Sequence, residues 1–371
     1  MPRHVVAEES GRRGGESRDG RLRGRGARSN RSGRYEALVV EEADDGWGHA
    51  DEPAKLRTEV QLEQARTIIT RNDSPDISFD QSINPYRGCE HGCSYCYARP
   101  SHCYLGHSAG LDFESKLYAK PGAAALLRRE LAAPRYAPRT IALGTNTDPY
   151  QPIEREHGLT RQLLEVMVET RHPVGIVTKS ALILRDLDLL AELARRDLVK
   201  VAISVTTLDR VTARKMEPRA STPAKRLEAI ARLAEAGIPT AVMVAPVVPA
   251  INDSEIEAIL GAASDAGARE AGYVLLRLPL EIKELFREWL ATEFPDRARR
   301  VITLMRSMHG GRDYSAQFGV RQRGRGPFAE QIAARFRLAL KRCRLNERRL
   351  TLRTDLFEPP SPGGDRQLSL F

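Results

Sequence analysis

The sequence has no apolar run long enough to cross a membrane, and its Arg-rich first residues lack the hydrophobic stretch that heads an exported protein. Cysteine is scarce: five in 371 residues, three of them within eight positions. A set so sparse and clustered does not build a disulfide framework. It suits metal or cofactor ligands in a reducing compartment, and a cytoplasmic location is expected. Residues 1 to about 34 have almost no large apolar side chains and are rich in Gly, Ser and Arg. Such a composition cannot offset the entropy of ordering, so a flexible basic arm with its lead-in is expected over residues 1–57.

Acidic residues are thin at both flanks. Residues 1–35 carry ten Arg against four carboxylates, and residues 312–353 carry twelve Arg or Lys against three. Of the net charge of +9, the last eighteen residues contribute −2, which leaves the middle of the chain at −4. Two basic appendages on a mildly acidic body attract polyanions, and nucleic acid, DNA foremost, is the expected partner. Solvated surface in an Arg-rich composition accounts for the same counts without a partner.

Between the flanks, short β-branched runs alternate with amphipathic stretches. TIALGT (140–145), VGIVTK (174–179), VKVAISVT (199–206), PTAVMVAPVV (239–248) and GYVLLRLP (272–279) are expected as strands. LTRQLLEVMVET, LRDLDLLAELARR, TPAKRLEAIARLAEAG and DSEIEAILGAASDAG repeat apolar residues at helical intervals. Thr222 and Pro223 start the third of these helices, Gly237 ends it, and Asp253 is expected to cap the fourth. Repeated β-then-α units mean a parallel sheet covered by helices. Five strands plus one entering the cysteine loop predict an α/β fold, a partial (β/α)6 barrel of the TIM type, over residues 58–310. Chemistry then belongs in the loops after the strand C-termini.

A basic helical extension is expected over 311–357, with Phe328, Ile332, Phe336 and Leu340 on one stripe and Arg335, Arg337, Lys341 and Arg342 off it. Gly324 and Gly326 do not make a phosphate loop, because no strand precedes them. A Pro- and Gly-rich linker and a tail occupy 358–371.

The segment INPYRGCEHGCSYCYARPSHCYLG places Cys89, Cys93 and Cys96 in a C-x3-C-x2-C pattern. Thiolates hold iron–sulfur clusters, and three of them leave one iron of a [4Fe–4S] cluster open. A zinc site completed by His91 or His102 is the alternative, although zinc knuckles usually pair two C-x2-C units and no second pair is present. The spacing resembles the radical S-adenosylmethionine superfamily. That resemblance implies that the open iron binds the amino and carboxylate groups of S-adenosylmethionine, and that one electron splits the sulfonium to give a 5′-deoxyadenosyl radical.

Over about residues 80–280 the chain further resembles the branch holding spore photoproduct lyase and DNA repair photolyase-like proteins. Tyr95 and Tyr97 flank Cys96 as two tyrosines do there, which implies a cofactor contact for Tyr95; either ring is a candidate hydrogen-atom relay, with aromatic packing around the cluster the simpler account. GTNTDPYQPIE (144–154) places Thr147 before Asp148 at the position that helps hold the cosubstrate. Lys179 matches a lysine paired with the cosubstrate carboxylate, and Ser204 a further contact. One departure concerns the hydrogen donor: Thr145 stands where that lyase has a cysteine, and an aliphatic O–H bond is too strong to replace a thiol. Cys103 is a substitute donor or a buried small residue, and Cys343 is expected to be inert.

The last five residues, Gln367, Leu368, Ser369, Leu370 and Phe371, resemble the peptide by which bacterial polymerases and repair proteins dock on the DNA sliding clamp. Leu and Phe anchors in an apolar groove with Gln at its edge suit such docking. The expected activity is radical cleavage of S-adenosylmethionine directed at DNA in a lyase-like repair reaction. Modification of RNA or protein, or a non-enzymatic DNA- and clamp-binding protein with a structural metal, are the alternatives.

Overall fold

The β-branched runs and amphipathic stretches fold as alternating strands and helices in the computed structural model, which describes residues 24–36 and 56–360. The six strands are β1 (Gln81–Ile83), β2 (Ile141–Leu143), β3 (Val174–Thr178), β4 (Val199–Ser204), β5 (Thr240–Val247) and β6 (Glu270–Leu275). They are hydrogen-bonded in that order and all parallel, with Ile69–Arg71 antiparallel on the outer edge of β1. Among the described residues β6 does not pair with that edge, so the arc is a six-unit barrel with an open seam.

Side chains alternate along the strands as the pleat requires. Val174, Ile176, Val199, Val201 and Ile203 are buried in one continuous core. Outside the sheet lie α1 (Ala123–Leu131), α2 (Leu159–Glu169), α3 (Leu187–Ala194), α4 (Pro223–Glu235) and α5 (Ile256–Asp265). Helix α4 starts at Pro223 and stops before Gly237 (φ 74°) as its signals require, although Thr222, expected to cap it, makes no side-chain capping hydrogen bond. Asp253 does not cap α5. It opens a 3-10 turn, and its carboxylate accepts from the Ala250 N–H instead (2.6 Å).

The basic flanks differ most from expectation. Helices α6 (Ile282–Glu293), α7 (Pro295–Met308) and α8 (Pro327–Arg342) follow β6. The apolar stripe of α8 packs on the barrel, with Ile332 and Phe336 buried and the Phe336 ring 4.7 Å from that of Tyr273. Arg335 grips Glu257 of α5 with two nitrogens. The loop before α8 crosses the seam. Leu275 on β6 donates to the Gln322 carbonyl (2.9 Å), while Arg321 donates to Asp76 and Ser74, just ahead of β1.

Residues 24–36, expected as part of a flexible arm, are instead docked. Arg25 is buried and donates to the carbonyls of Glu114 (2.6 Å) and Leu56 (2.7 Å). The Gly26 and Ala27 N–H groups donate to the Glu114 carboxylate (2.9 and 2.7 Å). Further along, Arg28 pairs with Glu293, Arg31 with Glu288 and Arg34 with Glu281, all on or just before α6. Composition failed here because buried acceptors satisfy the backbone and guanidinium groups that water would otherwise hold. The rest of the arm, and the 367–371 tail, lie outside the described residues. No helix among the described residues is long and apolar enough to cross a membrane.

Candidate functional site

The cysteine loop leaves β1 and is shaped by two glycines in the left-handed region, Gly88 (φ 71°) and Gly92 (φ 64°). A Cβ on Gly88 would lie 2.8 Å from the Phe113 carbonyl, and one on Gly92 would lie 2.6 Å from Glu114 Oε2. Cys89 N–H donates to the Phe113 carbonyl (2.9 Å), and Ser94 N–H donates to the Met216 carbonyl (3.0 Å). Arg99, wholly buried, donates to the carbonyls of Cys93, Ala109 and Gly110 and pairs with buried Glu114. Arg99 and Glu114 thus form one hub that ties the cysteine loop, the 109–110 turn and the docked N-terminal segment together.

Cys89 and Cys93 are buried, Cys96 is partly exposed, and all three are free thiols. Burial raises the Cys89 thiol well above its usual range and Cys93 to about 12. A bound cation reverses that preference, since a coordinating thiol is deprotonated outright.

After β2, Asp148 braces the loop. It accepts from Thr178 Oγ1 (2.6 Å), Tyr150 N–H (2.9 Å) and Lys179 N–H (2.8 Å), and it faces His91 Nδ1 at 3.3 Å. Burial works against the carboxylate, but His91 and these donors outweigh it and hold the group at about 2. Its carboxylate is therefore occupied by protein donors. Thr147, beside it, donates its hydroxyl to the Tyr86 carbonyl (3.2 Å).

Lys179, at the end of β3, places Nζ 5.9 Å from the Tyr95 ring centroid and forms no hydrogen bond there to a described residue. Burial lowers its affinity for a proton, but Cys93 and Glu217 raise it more, so the ammonium stays charged. Glu217, which sequence reasoning missed, is the hub of the opposite wall. It accepts from Tyr95 Oη, from Thr206 Oγ1 (2.5 Å) and from Arg226, and Arg226 donates onward to the Ser204 carbonyl (3.1 Å). The Glu-Pro pair ending the 210–216 helix is the only local signal for it.

Cys89, Cys93, Cys96, Tyr95, Asp148, Lys179 and Ser204 thus gather where β1 to β4 end. Tyr97 joins them at the mouth, 44% exposed, with its hydroxyl donating to the Thr145 carbonyl. Thr145 Oγ1 accepts from Asn84 Nδ2 (3.3 Å). Cys103 is not brought to the mouth: it is fully buried, and a Cβ on Gly33 of the docked segment would lie 2.8 Å from its sulfur. Cys343 closes α8, far along the chain, with its carbonyl accepting from Ser264.

The donor set fits an iron–sulfur cluster. Among the described residues no three His, Cys, Asp or Glu side chains converge on a single ion. His91 Nδ1 faces Asp148 and His102 Nε2 meets the Lys116 carbonyl (2.9 Å), and neither ring joins the cysteines in such a set among the described residues. A four-iron cluster needs no such convergence, because each thiolate binds a different iron. Ser94 Oγ, buried between Cys93 and Tyr95, has no hydrogen-bond partner of its own.

Three comparisons bear on this geometry. The family model of the radical SAM superfamily matches residues 83–263. A protein of Mycobacterium tuberculosis, itself uncharacterised, is 39% identical over 232 residues, covering 62% of this chain and 68% of its own. A second uncharacterised protein, from Methanocaldococcus jannaschii, is 27% identical over 219 residues, covering 58% and 76%. Among solved structures, spore photoproduct lyase complexed with a dinucleoside spore photoproduct superposes with a TM-score of 0.56 at 16% identity, covering 76% of this chain and 79% of that one. At that identity the likeness shows the fold.

Proposed function

Since the chain belongs to the radical S-adenosylmethionine superfamily, whose cofactors are a [4Fe–4S] cluster and S-adenosylmethionine, we propose that Cys89, Cys93 and Cys96 hold the cluster and that the enzyme acts on nucleic acid. The observation that carries this reading is the placement of three free thiols on one loop at the strand ends, beside a charged Lys179 that forms no ion pair among the described residues. When bound, the two cofactors supply one-electron cleavage of the sulfonium and hence a 5′-deoxyadenosyl radical.

The chain's own residues then have distinct tasks. Lys179 offers its ammonium to the cosubstrate carboxylate. Thr147, Ser204 and Tyr95 line the pocket, while Asp148 holds the β2 loop against β3. Tyr97, exposed at the mouth, is the hydrogen-atom relay. Tyr95 is held by Glu217, Cys103 is sealed beneath Gly33, and the Thr145 hydroxyl is too strong a bond. The reaction is accordingly lyase-like without being spore photoproduct repair itself.

Nucleic acid, DNA first, is supported by the substrate named for the structurally similar lyase and by Arg277, whose guanidinium lies 4.7 Å over the Tyr97 ring at the mouth. The C-terminal QLSLF is proposed to bring the enzyme to the sliding clamp. Anaerobic reconstitution should give about four irons per chain and 5′-deoxyadenosine on reduction. A Cys93→Ala protein that still produced deoxyadenosine would refute the site. Deuterium from labelled S-adenosylmethionine should appear in DNA. Its appearance in RNA or a peptide alone would move the substrate, and unchanged clamp pull-down after deletion of 367–371 would refute the docking tail.

A further inference from the structure

Four large aromatic side chains are exposed among the described residues: Tyr35 (56%), Tyr97 (44%), Tyr104 (68%) and Phe318 (54%). Isolated exposed rings need no explanation. Here every one carries a guanidinium on its face. Arg34 lies over both Tyr35 (5.4 Å) and Tyr104 (5.9 Å), Arg277 over Tyr97 (4.7 Å) and Arg321 over Phe318 (4.6 Å). Tyr35 and Tyr104 are themselves stacked, with centroids 5.3 Å apart and planes 28° from parallel.

These groups border the mouth and the seam rather than scatter. Tyr97 touches the Thr145 loop after β2, and Arg277 stands two residues beyond β6. Arg277 forms no ion pair among the described residues: its Nε is buried and unpaired, its one hydrogen bond there is to Tyr314 Oη at 3.5 Å, and the Asp76 carboxylate lies near enough to feel its charge. Tyr314 also lines a cavity of about 420 Å³, together with Leu278, Lys283 and Arg312. Leu280 ends that lining, and its neighbour Glu281 holds Arg34 beneath the Tyr35–Tyr104 stack. Ring, cation, cavity and stacked pair are thus linked by residues they share or that adjoin in sequence.

We infer that this rim is a track for a polynucleotide strand whose bases are unpaired, an inference that rests on the nucleic-acid reading above and specifies the form of its substrate. Ring faces accept the faces of unstacked bases, and a guanidinium lying flat on a ring extends the stacking plane while offering N–H groups to phosphate. A duplex hides its base faces and calls for a broad phosphate-facing surface instead. Arg277, with no ion pair among the described residues and its guanidinium over the Tyr97 ring, is placed to meet phosphate closest to the mouth. The cavity falls within the range of about 300–1,000 Å³ that small-molecule-sized groups occupy.

The test is fluorescence anisotropy with the reconstituted full chain, using a labelled 12-nucleotide single strand, the same strand in duplex, and polyglutamate as competitor. The single strand should bind at least about tenfold more tightly than the duplex. Tyr35→Ala combined with Tyr104→Ala, and separately Arg277→Ala, should each weaken single-strand binding roughly tenfold. Arg337→Ala, a charge-matched change on the outer face of α8, should leave it nearly unchanged. Thermal melts confirm that each variant is folded. Nucleic acid bound equally well by the folded rim variants, or equally as duplex and single strand, overturns the track and leaves the nucleic-acid reading standing. Equal competition by polyglutamate likewise reduces the rim to a patch of charge. No binding of any nucleic acid by the parent chain overturns both.

Discussion

Gly92 stands at φ 64° between two of the thiols, with Glu114 Oε2 2.6 Å from the point where a side chain would begin. Gly92→Ala therefore meets two costs, about 1–2 kcal/mol for the left-handed backbone and a displaced buried carboxylate besides. The expected result is a lower denaturation midpoint and less iron retained through gel filtration. His172 makes a different case, at the opposite end of the barrel. It is fully buried, its Nδ1 meets the Pro173 carbonyl (3.0 Å) and its Nε2 the Tyr136 hydroxyl (2.7 Å). Burial lowers its pKa from 6.5 to about 4. The unfolded chain therefore takes up a proton first as pH falls. Stability from this group is complete above pH 6.5 and is lost progressively towards pH 4, by about 3 kcal/mol at most. His172→Gln should flatten the stability profile in that window, measured by urea unfolding at successive pH values. Neither role was legible in the sequence, because both depend on partners that only the fold brings near.

Elements divide cleanly by how local their cause is. The five strands named from their β-branched runs all form, and the cysteine motif was legible because its three thiols lie within one loop. The docked segment 24–36 was invisible because its stabilising partner, Glu114, lies almost ninety residues downstream. The Arg99–Glu114 and Glu217–Arg226 pairs, though close in sequence, escaped for another reason: a charged residue in a sequence looks solvated until the fold buries it with its counterion. Glu114→Gln should be costly out of proportion to its size. The amide cannot neutralise buried Arg99, and breaking such a pair typically costs about 3–5 kcal/mol. The loss should appear as faster hydrogen exchange at the Gly26 and Ala27 amides and as quicker iron release to a chelator. Gly26→Ala should give the same two signs without touching any charge, since a Cβ there collides with the Gly92 carbonyl.

At the scale of the whole molecule, the arginine-rich flanks serve partly as structure. Arg25, Arg28, Arg31 and Arg34 are all engaged with the barrel, and Arg321 and Arg335 are committed to Asp76 and Glu257. Both flanks cross or border the open seam, so charge that appears free for a polyanion instead holds a six-stranded arc closed. Counting arginines therefore overstates how many phosphates the surface can neutralise. Arg323 and Arg325 are the contrasting case: both are exposed, and neither forms an ion pair among the described residues. Each phosphate contact contributes a slope of about −0.9 to the dependence of log affinity on log salt for duplex DNA and about −0.7 for single strands. Arg323→Ala combined with Arg325→Ala should therefore flatten a single-strand titration by about 1.4 while leaving the melting temperature nearly unchanged. Arg28→Ala combined with Arg31→Ala should do the reverse, lowering the melting temperature and leaving the slope intact. Should the two pairs exchange behaviours, the division between structural and nucleic-acid-facing arginines would be wrong, and the seam would have to be held by contacts other than these ion pairs.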